Sequence, residues 1–463
     1  MASSFRRLLR SGQALLFGYF FVVIVVASIL LRLPFAWPGE GGIPFIDALF
    51  TAVSAACVTG LITVNTADFT LFGQIVILAT IQAGGLGIIA ITTLYLARPG
   101  ARISLESRKL IREYYVEAVE FDPRGILRSV LLVTFAIELV GAAILVLLFR
   151  SLDVPGAVFA GIFHAISAFC NAGFSLFRDS LEGFSGAVGV NLTVMLLVLV
   201  GGLGFVVVHD VYDWFTRQRH RLSLHSGVVL STAFVLVVVG TLFYLLFGFH
   251  EDDASWGTRI LQALFQSVTT RTAGFNTLPQ DTLSQPAYLQ TLGLMFVGGG
   301  PGSTAGGIKV SVFALVVVAA LGGTNRFGET RIGRRRVPME VLTNAYGFVV
   351  KALLIVLAAT AALMITESFG AGAGAGPAAG AASEGAAARR GPSASALVFE
   401  VFSAFGTVGL SQGITADLTG PSKIVIILTM LAGRLGLISI AMPRFRQERR
   451  RLLEYPRERI LIG

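Results

Sequence analysis

Four segments of this chain align on one another without a gap. Residues 50–62 read FTAVSAACVTGLI, 163–175 FHAISAFCNAGFS, 264–276 LFQSVTTRTAGFN and 399–411 FEVFSAFGTVGLS. The anchor of each is a glycine: Gly60, Gly173, Gly274 and Gly409. Ten residues before it stands Phe50, Phe163, Leu264 or Phe399; six before, Ser54, Ser167, Val268 or Ser403; one after, Leu61, Phe174, Phe275 or Leu410. Agreement at these columns in four places is an internal repeat, and it constrains the fold more than any other feature.

Each segment lies between two long apolar runs. The first runs cover 14–33, 126–150, 227–249 and 345–366, and the second runs 72–97, 189–214, 286–321 and 422–442. Apolar residues make up 54% of the chain and charged ones only 14%, against roughly 25% charge in a soluble domain. The chain therefore reads as a polytopic membrane protein. Its net charge of +9 is concentrated in Arg6, Arg7 and Arg10, in 98–128, 217–221, 326–336 and the tail 444–459. These clusters alternate with acidic or neutral turns such as EDD at 251–253. That alternation follows the positive-inside rule and predicts eight spans with both termini cytoplasmic; the charge is thus assigned to cytoplasmic loops and not to nucleic-acid binding. Residues 14–33 are too long for a signal-peptide core and read as a retained span.

The expected fold is all-α and polytopic, with four pseudo-fourfold repeats of span, re-entrant pore loop and span around a central pore. The units are 1–98, 99–215, 216–322 (with a broken second span) and 323–463, the last carrying an external Ala/Gly-rich insertion at 371–392 and the basic tail. The dozen or so residues before each anchor glycine are too few to cross a bilayer. Each short run should dip in and return, and non-helical backbone at that depth needs burial in protein or a water-filled cavity. Backbone carbonyls from several segments replace the water of a monovalent cation without a fixed charge, and glycine reaches the required backbone angles with little penalty. The candidate filter is accordingly Val58, Thr59 and Gly60; Asn171, Ala172 and Gly173; Thr272, Ala273 and Gly274; Thr407, Val408 and Gly409.

The motifs CVTGL, CNAGFS, RTAGFN and GTVGLS are similar to the four filter signatures of the Trk/Ktr/HKT superfamily of potassium transporters, in order over nearly the whole chain. Within it the chain resembles the KtrB-type membrane subunits: it enters its first span without the two extra leading helices expected of TrkH, and its ending EYPRERILIG resembles a KtrB tail. The resemblance implies channel-like K+ uptake across a bacterial plasma membrane, with sodium dependence left open. In plant HKT proteins a serine at the first filter glycine goes with sodium preference, so Gly60 implies potassium. It further implies a homodimer seated on a cytoplasmic KtrA-type regulatory ring that binds ATP or ADP. No nucleotide site is expected on this chain; its basic loops and tail are the surfaces for docking the ring.

The third unit's second span is interrupted by GGGPGSTAGGIKV at 298–310, six glycines and a proline in thirteen positions. Proline and clustered glycine stop a helix. The other units have AGGLGI (83–88), VGGLGF (200–205) and AGRLGL (432–437) there. A phosphate-binding P-loop is excluded, because Ile308 separates the glycines from Lys309 and Val310 follows it. By resemblance this is an intramembrane gate of Gly298, Gly299, Gly300, Pro301, Gly302, Ser303, Thr304, Ala305, Gly306, Gly307 and Lys309. Arg434 stands where the first two units have Gly85 and Gly202, and a charge within a span is functional by default. A guanidinium there is expected to donate to carbonyls freed by the broken helix, with snorkelling to the cytoplasmic interface as the alternative.

Cys57 and Cys170 occupy equivalent positions around a pore and read as small packing residues. Arg271 is expected to point away from the pore and brace its loop, with Glu400 one candidate partner. Glu138 is either a buried, partnered carboxylate or an ion-coupling site. His164 and His209 are isolated, and no catalytic or metal constellation is present in the sequence. A coupled K+/Na+ or K+/H+ symporter is the rival reading, with Glu138 its sole midplane candidate; a sensor or a membrane enzyme leaves four glycine loops in register unexplained.

Overall fold

The computed structural model describes residues 12–39, 42–96, 123–216, 221–248, 255–322, 330–332, 335–373 and 392–436. Arg6, Arg7 and Arg10, most of 98–128, the tail 444–459 and most of the 371–392 insertion lie outside the described residues.

Each unit opens with a long helix: α1 (Gly12–Leu31), then in the later units Pro123–Ser151, Leu224–Phe247 and Met339–Ala373. The shortest has 20 residues, about 30 Å at 1.5 Å per residue and enough to cross a hydrocarbon core. All four are long and apolar enough to span a membrane. They expose large apolar side chains on one side, among them Phe21, Leu139, Leu246 and Leu357, which is the surface that lipid covers.

The four repeat segments form short helices. They are α2 (Phe45–Cys57), α5 (Ala157–Phe169), α9 (Trp256–Thr269) and α13 (Ala394–Gly406), of 13, 13, 14 and 13 residues; α4 and α8 are the intervening first spans Pro123–Ser151 and Leu224–Phe247. Ser255 and Ser393 accept the first-turn N–H groups of α9 and α13, a cap that contributes about 1 kcal/mol each. These helices are the core of the molecule: Phe50, Phe163, Phe265 and Phe399 are fully buried, and so are most of the residues that follow them. A buried ion pair, Lys423 Nζ to Asp47 Oδ1 at 2.9 Å, joins the fourth unit to the first.

The second spans differ from one another. In the first unit α3 (Leu71–Leu96) is continuous. In the second, α6 (Val188–Leu203) and α7 (Phe205–Phe215) meet at a 103° bend. Residues 189–214 therefore do not form the single long run expected of them, and the break falls at Gly204, whose φ is +92°. In the third, α10 (Gln285–Phe296) and α11 (Val310–Gly322) flank the glycine loop. In the fourth, α14 (Gly420–Leu431) passes into a π-helical turn, Ala432–Gly436, where Arg434 sits. Such a turn is a local widening of a helix often found at functional positions. The basic segment 326–336 also departs from an all-helical reading: β1 (Thr330–Ile332) and β2 (Arg335–Val337) pair antiparallel, with Arg331 opposite Arg336, just before α12 (Met339–Ala373).

Candidate ion filter and gate

Each short helix delivers its chain end to a loop with one backbone signature. Two residues spaced by one have positive φ: Val58 (57°) and Gly60 (94°), Asn171 (58°) and Gly173 (68°), Thr272 (76°) and Gly274 (80°), Thr407 (50°) and Gly409 (96°). The residues between them, Thr59, Ala172, Ala273 and Val408, do not. Left-handed backbone costs a non-glycine residue about 1–2 kcal/mol. Four non-glycine residues holding it at matching positions mark a strained, built element rather than a chance turn.

Hydroxyls of the short helices hold this backbone. Ser54 Oγ and Ser403 Oγ accept from the N–H of Gly60 (3.1 Å) and Gly409 (3.0 Å), while Ser167 Oγ donates to the Phe174 carbonyl at 2.8 Å. In the third unit the gapless alignment puts Val268 in that column, yet Thr269 makes the bond, its Oγ1 donating to the Phe275 carbonyl at 2.5 Å. The reason is a one-residue shorter return. Ala273 N–H bonds to the Thr269 carbonyl, four residues back, whereas Thr59, Ala172 and Val408 bond to Ser54, Ser167 and Ser403, five back.

The four glycines close a ring. A Cβ on Gly60 would lie 2.5 Å from the Ala172 carbonyl oxygen; on Gly173, 2.8 Å from that of Ala273; on Gly274, 2.3 Å from that of Val408; and on Gly409, 2.2 Å from that of Thr59. Each loop thus abuts the next in chain order, and the fourth abuts the first. No residue with a side chain fits any of the four positions without moving backbone. None of the twelve candidate filter residues is ionisable. Carbonyls dominate, and the buried hydroxyls Thr59 Oγ1, Thr272 Oγ1 and Thr407 Oγ1 have no hydrogen-bond partner among the described residues. These carbonyls and hydroxyls, oxygen donors without a fixed charge, suit a monovalent cation as cargo.

The second spans pack on the loops through glycine. Cβ atoms on Gly84, Gly201 and Gly433 would meet the carbonyl oxygens of Ala56, Phe169 and Phe405 at 2.0, 1.9 and 2.0 Å. These carbonyls stand at one position, four residues before the filter glycine in each unit. The glycines of AGGLGI, VGGLGF and AGRLGL thus share a packing role.

The third unit's interruption runs beside this ring. Gly298 N–H donates to the Ile308 carbonyl at 2.8 Å and Val310 N–H to that of Gly299 at 3.0 Å, which pinches the two ends together. Between them Gly300 N–H donates to Gly202 (2.8 Å), Thr304 N–H to Gly201 (3.4 Å), and Phe205 N–H returns a bond to Gly302 (3.3 Å). Pro301 reaches the bend of the second unit, since a Cβ on Gly204 would lie 2.4 Å from its carbonyl oxygen. Ser303 Oγ donates to Gly300, and Thr304 Oγ1 sits 3.2 Å from the Phe169 carbonyl and 3.1 Å from that of Gly201. Gly306 faces the candidate filter, as a Cβ there would overlap Thr407 Oγ1. Gly298–Gly300 and Ser303–Ile308, which include Ala305, Gly306 and Gly307, are buried.

Two cations hold the loop. Arg434, 2% exposed, donates from one terminal nitrogen to the Thr304 carbonyl and from the other to the Gly84 carbonyl at 3.1 Å. It thereby ties the third unit's loop to the first unit's second span. Lys309 Nζ donates to the Ala305 carbonyl at 2.7 Å. Both side chains end on carbonyls inside the molecule, Arg434 buried and Lys309 half-buried.

The remaining candidates have structural partners. Arg271 does not meet Glu400: it donates to the Ala233 carbonyl of α8 at 3.2 Å, while Glu400 accepts from Ser411 and from Thr415 at 3.0 Å. The guanidinium is drawn to a helix carbonyl on its own unit because the carboxylate is already occupied within the fourth. Glu138 receives both its oxygens' bonds from Gln82 Nε2 at 3.0 Å, and Cys170 Sγ lies 3.3 Å from Gln82 Oε1. Cys57 and Cys170 are free and buried. His164 is buried against Phe177, and the exposed His209 lies 3.9 Å from Asp213 on α7. Gln82 and Thr269 were not singled out by sequence, and VGGLGF was marked only as the counterpart of the third unit's interruption, not as its seat; a glutamine in an apolar run was the available signal for the first.

The TrkH family model, described as a cation transport protein, matches residues 17–369 and 391–452. The chain belongs to the TrkH family of cation transport proteins. It is similar to the Ktr system potassium uptake protein B of Bacillus subtilis (strain 168), with 35% identity over 457 residues covering 97% of this chain and 96% of that protein. The potassium/sodium uptake protein NtpJ of Enterococcus hirae is 34% identical over 464 residues, covering 96% and 95% respectively. The crystal structure of the potassium transporter TrkH from Vibrio parahaemolyticus shares the fold, with a TM-score of 0.67 over 92% of this chain and 84% of that one at 19% identity.

Proposed function

We propose that this chain is the potassium-translocating membrane subunit of a Ktr-type uptake system. The observation that carries the reading is the closed ring of Gly60, Gly173, Gly274 and Gly409, each seated against the next loop's carbonyl. Potassium exchanges its water for the carbonyl oxygens of the four loops and moves inward with the membrane potential, worth about 2.3 kcal/mol per charge per 100 mV. The loop 298–309, held by Arg434 and Lys309, obstructs the path below the filter. Both termini are cytoplasmic, two copies pair, and a KtrA-type ring that binds ATP or ADP acts on the basic cytoplasmic segments to move the loop. The names of the relatives support the potassium assignment, and that of the Enterococcus protein brings in sodium as a second ion that stimulates or accompanies transport.

The test is rubidium uptake into potassium-loaded vesicles holding the purified chain, compared with a variant lacking residues 300–306. Uptake that rises on deletion and is poorly inhibited by sodium supports filter and gate together. Absence of any potassium-driven rubidium uptake by either protein refutes the reading.

A further inference from the structure

The ring is fourfold at the glycines but twofold behind them. Nine residues before the anchor glycine stand Thr51, His164, Phe265 and Glu400; two residues after it, Ile62, Ser175, Asn276 and Ser411. Only in the second and fourth units do these columns join through side chains. His164 Nε2 is 2.9 Å from Ser175 Oγ, and Glu400 Oε1 accepts from Ser411 Oγ. Since the contacts run around the ring in chain order, these two units face each other across the axis.

Both braces are built sites. His164 and Glu400 are fully buried. The other ring nitrogen, Nδ1, is 2.7 Å from the Ala160 carbonyl, which only accepts; it therefore carries the proton, and Nε2 accepts from the serine hydroxyl. Phe177 stacks on the imidazole at 4.8 Å between centroids, 19° from parallel, and fixes its plane. Ser175 Oγ in turn accepts from Phe177 N–H at 3.0 Å. Glu400 also accepts from Thr415 Oγ1 at 3.0 Å, and Ser411 Oγ from Gly413 N–H at 2.9 Å. No basic side chain pairs with Glu400 among the described residues.

A buried carboxylate held by two hydroxyls and the Gln412 backbone N–H, with no cation beside it among the described residues, carries a desolvation cost, and packing does not require it. Phe265 occupies the same column of the third unit, equally buried. The gain from His164 and Glu400 must therefore lie in where they hold the strand beyond the glycine. The helix serines fix the filter up to the glycine, and these braces fix its outward return. We propose that His164 and Glu400 are positioning residues that pin the outer ends of the second and fourth filter strands and thereby set the discrimination between ions. The proposal rests on the filter reading above.

The experiment uses the full chain in vesicles and reads initial rubidium uptake with sodium as competitor. Ser175→Ala and Ser411→Ala each remove a hydroxyl that also accepts a backbone N–H, from Phe177 and Gly413 respectively, and should lower discrimination at least about threefold, since more than one hydrogen bond is lost. Glu400→Gln still offers an oxygen to Ser411 and should stay within about twofold of wild type, whereas Glu400→Leu should lose as much as Ser411→Ala or more. Thr366→Val breaks a side-chain bond to Ser422 at 2.7 Å that joins α12 to α14 outside the four filter loops; it should lower the melting temperature and leave discrimination unchanged. Gly60→Ala separates the two levels of the argument. Unchanged discrimination in Ser175→Ala, Ser411→Ala and Glu400→Leu, with Gly60→Ala impaired, overturns the braces alone. If Gly60→Ala is also unchanged, the filter reading fails and the braces fail with it.

Discussion

Replacing Gly60 by alanine puts two separable costs on one residue. Its φ of +94° is a region where an L-residue loses about 1–2 kcal/mol, and its new Cβ would lie 2.5 Å from the Ala172 carbonyl oxygen and 3.2 Å from Gly173 Cα. Ordinary contact begins near 3.4 Å, so the second unit's strand must retreat by about 0.9 Å. That exceeds the ~0.5 Å within which a binding constellation keeps its function. Gly156 isolates the first cost: its φ is +66° and a Cβ there meets nothing within 4 Å. Gly156→Ala should therefore lose about 1 kcal/mol of stability with transport intact. Gly60→Ala should in addition lower rubidium-over-sodium discrimination at least about tenfold, one decade being ~1.4 kcal/mol. Melting temperature in detergent and competitive uptake in vesicles measure the two quantities on the same preparations. Discrimination preserved within twofold in Gly60→Ala, at wild-type flux, would refute the claim that the ring selects.

The loop's clamp gives a second expectation. Arg434→Gln loses at least one of two buried charge-assisted bonds, each worth roughly 1.5–3 kcal/mol, and should raise rubidium flux about tenfold or more; a fall in stability with flux unchanged counts against the gate. For the ion pair between units, Lys423→Ala strands Asp47 in a site where the two side chains are 12% and 11% exposed. It should cost about 3 kcal/mol, most of it recovered by Lys423→Met with Asp47→Asn, as thermal melts will report. On the outer surface, burial first and the Asp179 carboxylate second hold the Glu182 carboxyl above its ordinary range, partly offset by the bond from Asn276. A raised folded value means this group's stabilising contribution is present in acid and is lost as pH rises through that value. Glu182→Gln should remove that slope and melt no lower than wild type at neutral pH, which a pH series of melting curves checks.

Much of this architecture was legible because it rests on local chemistry repeated four times. The anchor glycines could be read from alignment alone, since in a ring where each Cβ would strike a neighbour's carbonyl another residue enters only by displacing that strand. The interruption at 298–310 was legible for a similar reason: no helix accommodates that composition. What escaped depends on contacts between units. AGGLGI and VGGLGF are nearly the same hexapeptide, yet Gly87 lies inside the unbroken α3, beside the Tyr19 ring, while Gly204 breaks its span against Pro301. The partner decides, and it comes from another repeat. Val268 and Thr269 show a subtler limit: a gapless alignment cannot register a return shortened by one residue within the loop. Arg271 was matched to Glu400 by charge alone, and in the fold the carboxylate is satisfied by neighbours on its own return strand.

The closed circuit of glycine contacts has a mechanical consequence. An open row of loops can yield at one end, but a hoop has no end: pushing any one strand outward loads its neighbour, and the load travels around until it returns. An aperture at its centre, as proposed above, is therefore a property of the whole circumference. It should resist dilation in small steps and fail as a unit, with homologous insults in any of the four repeats producing one phenotype despite their different surroundings.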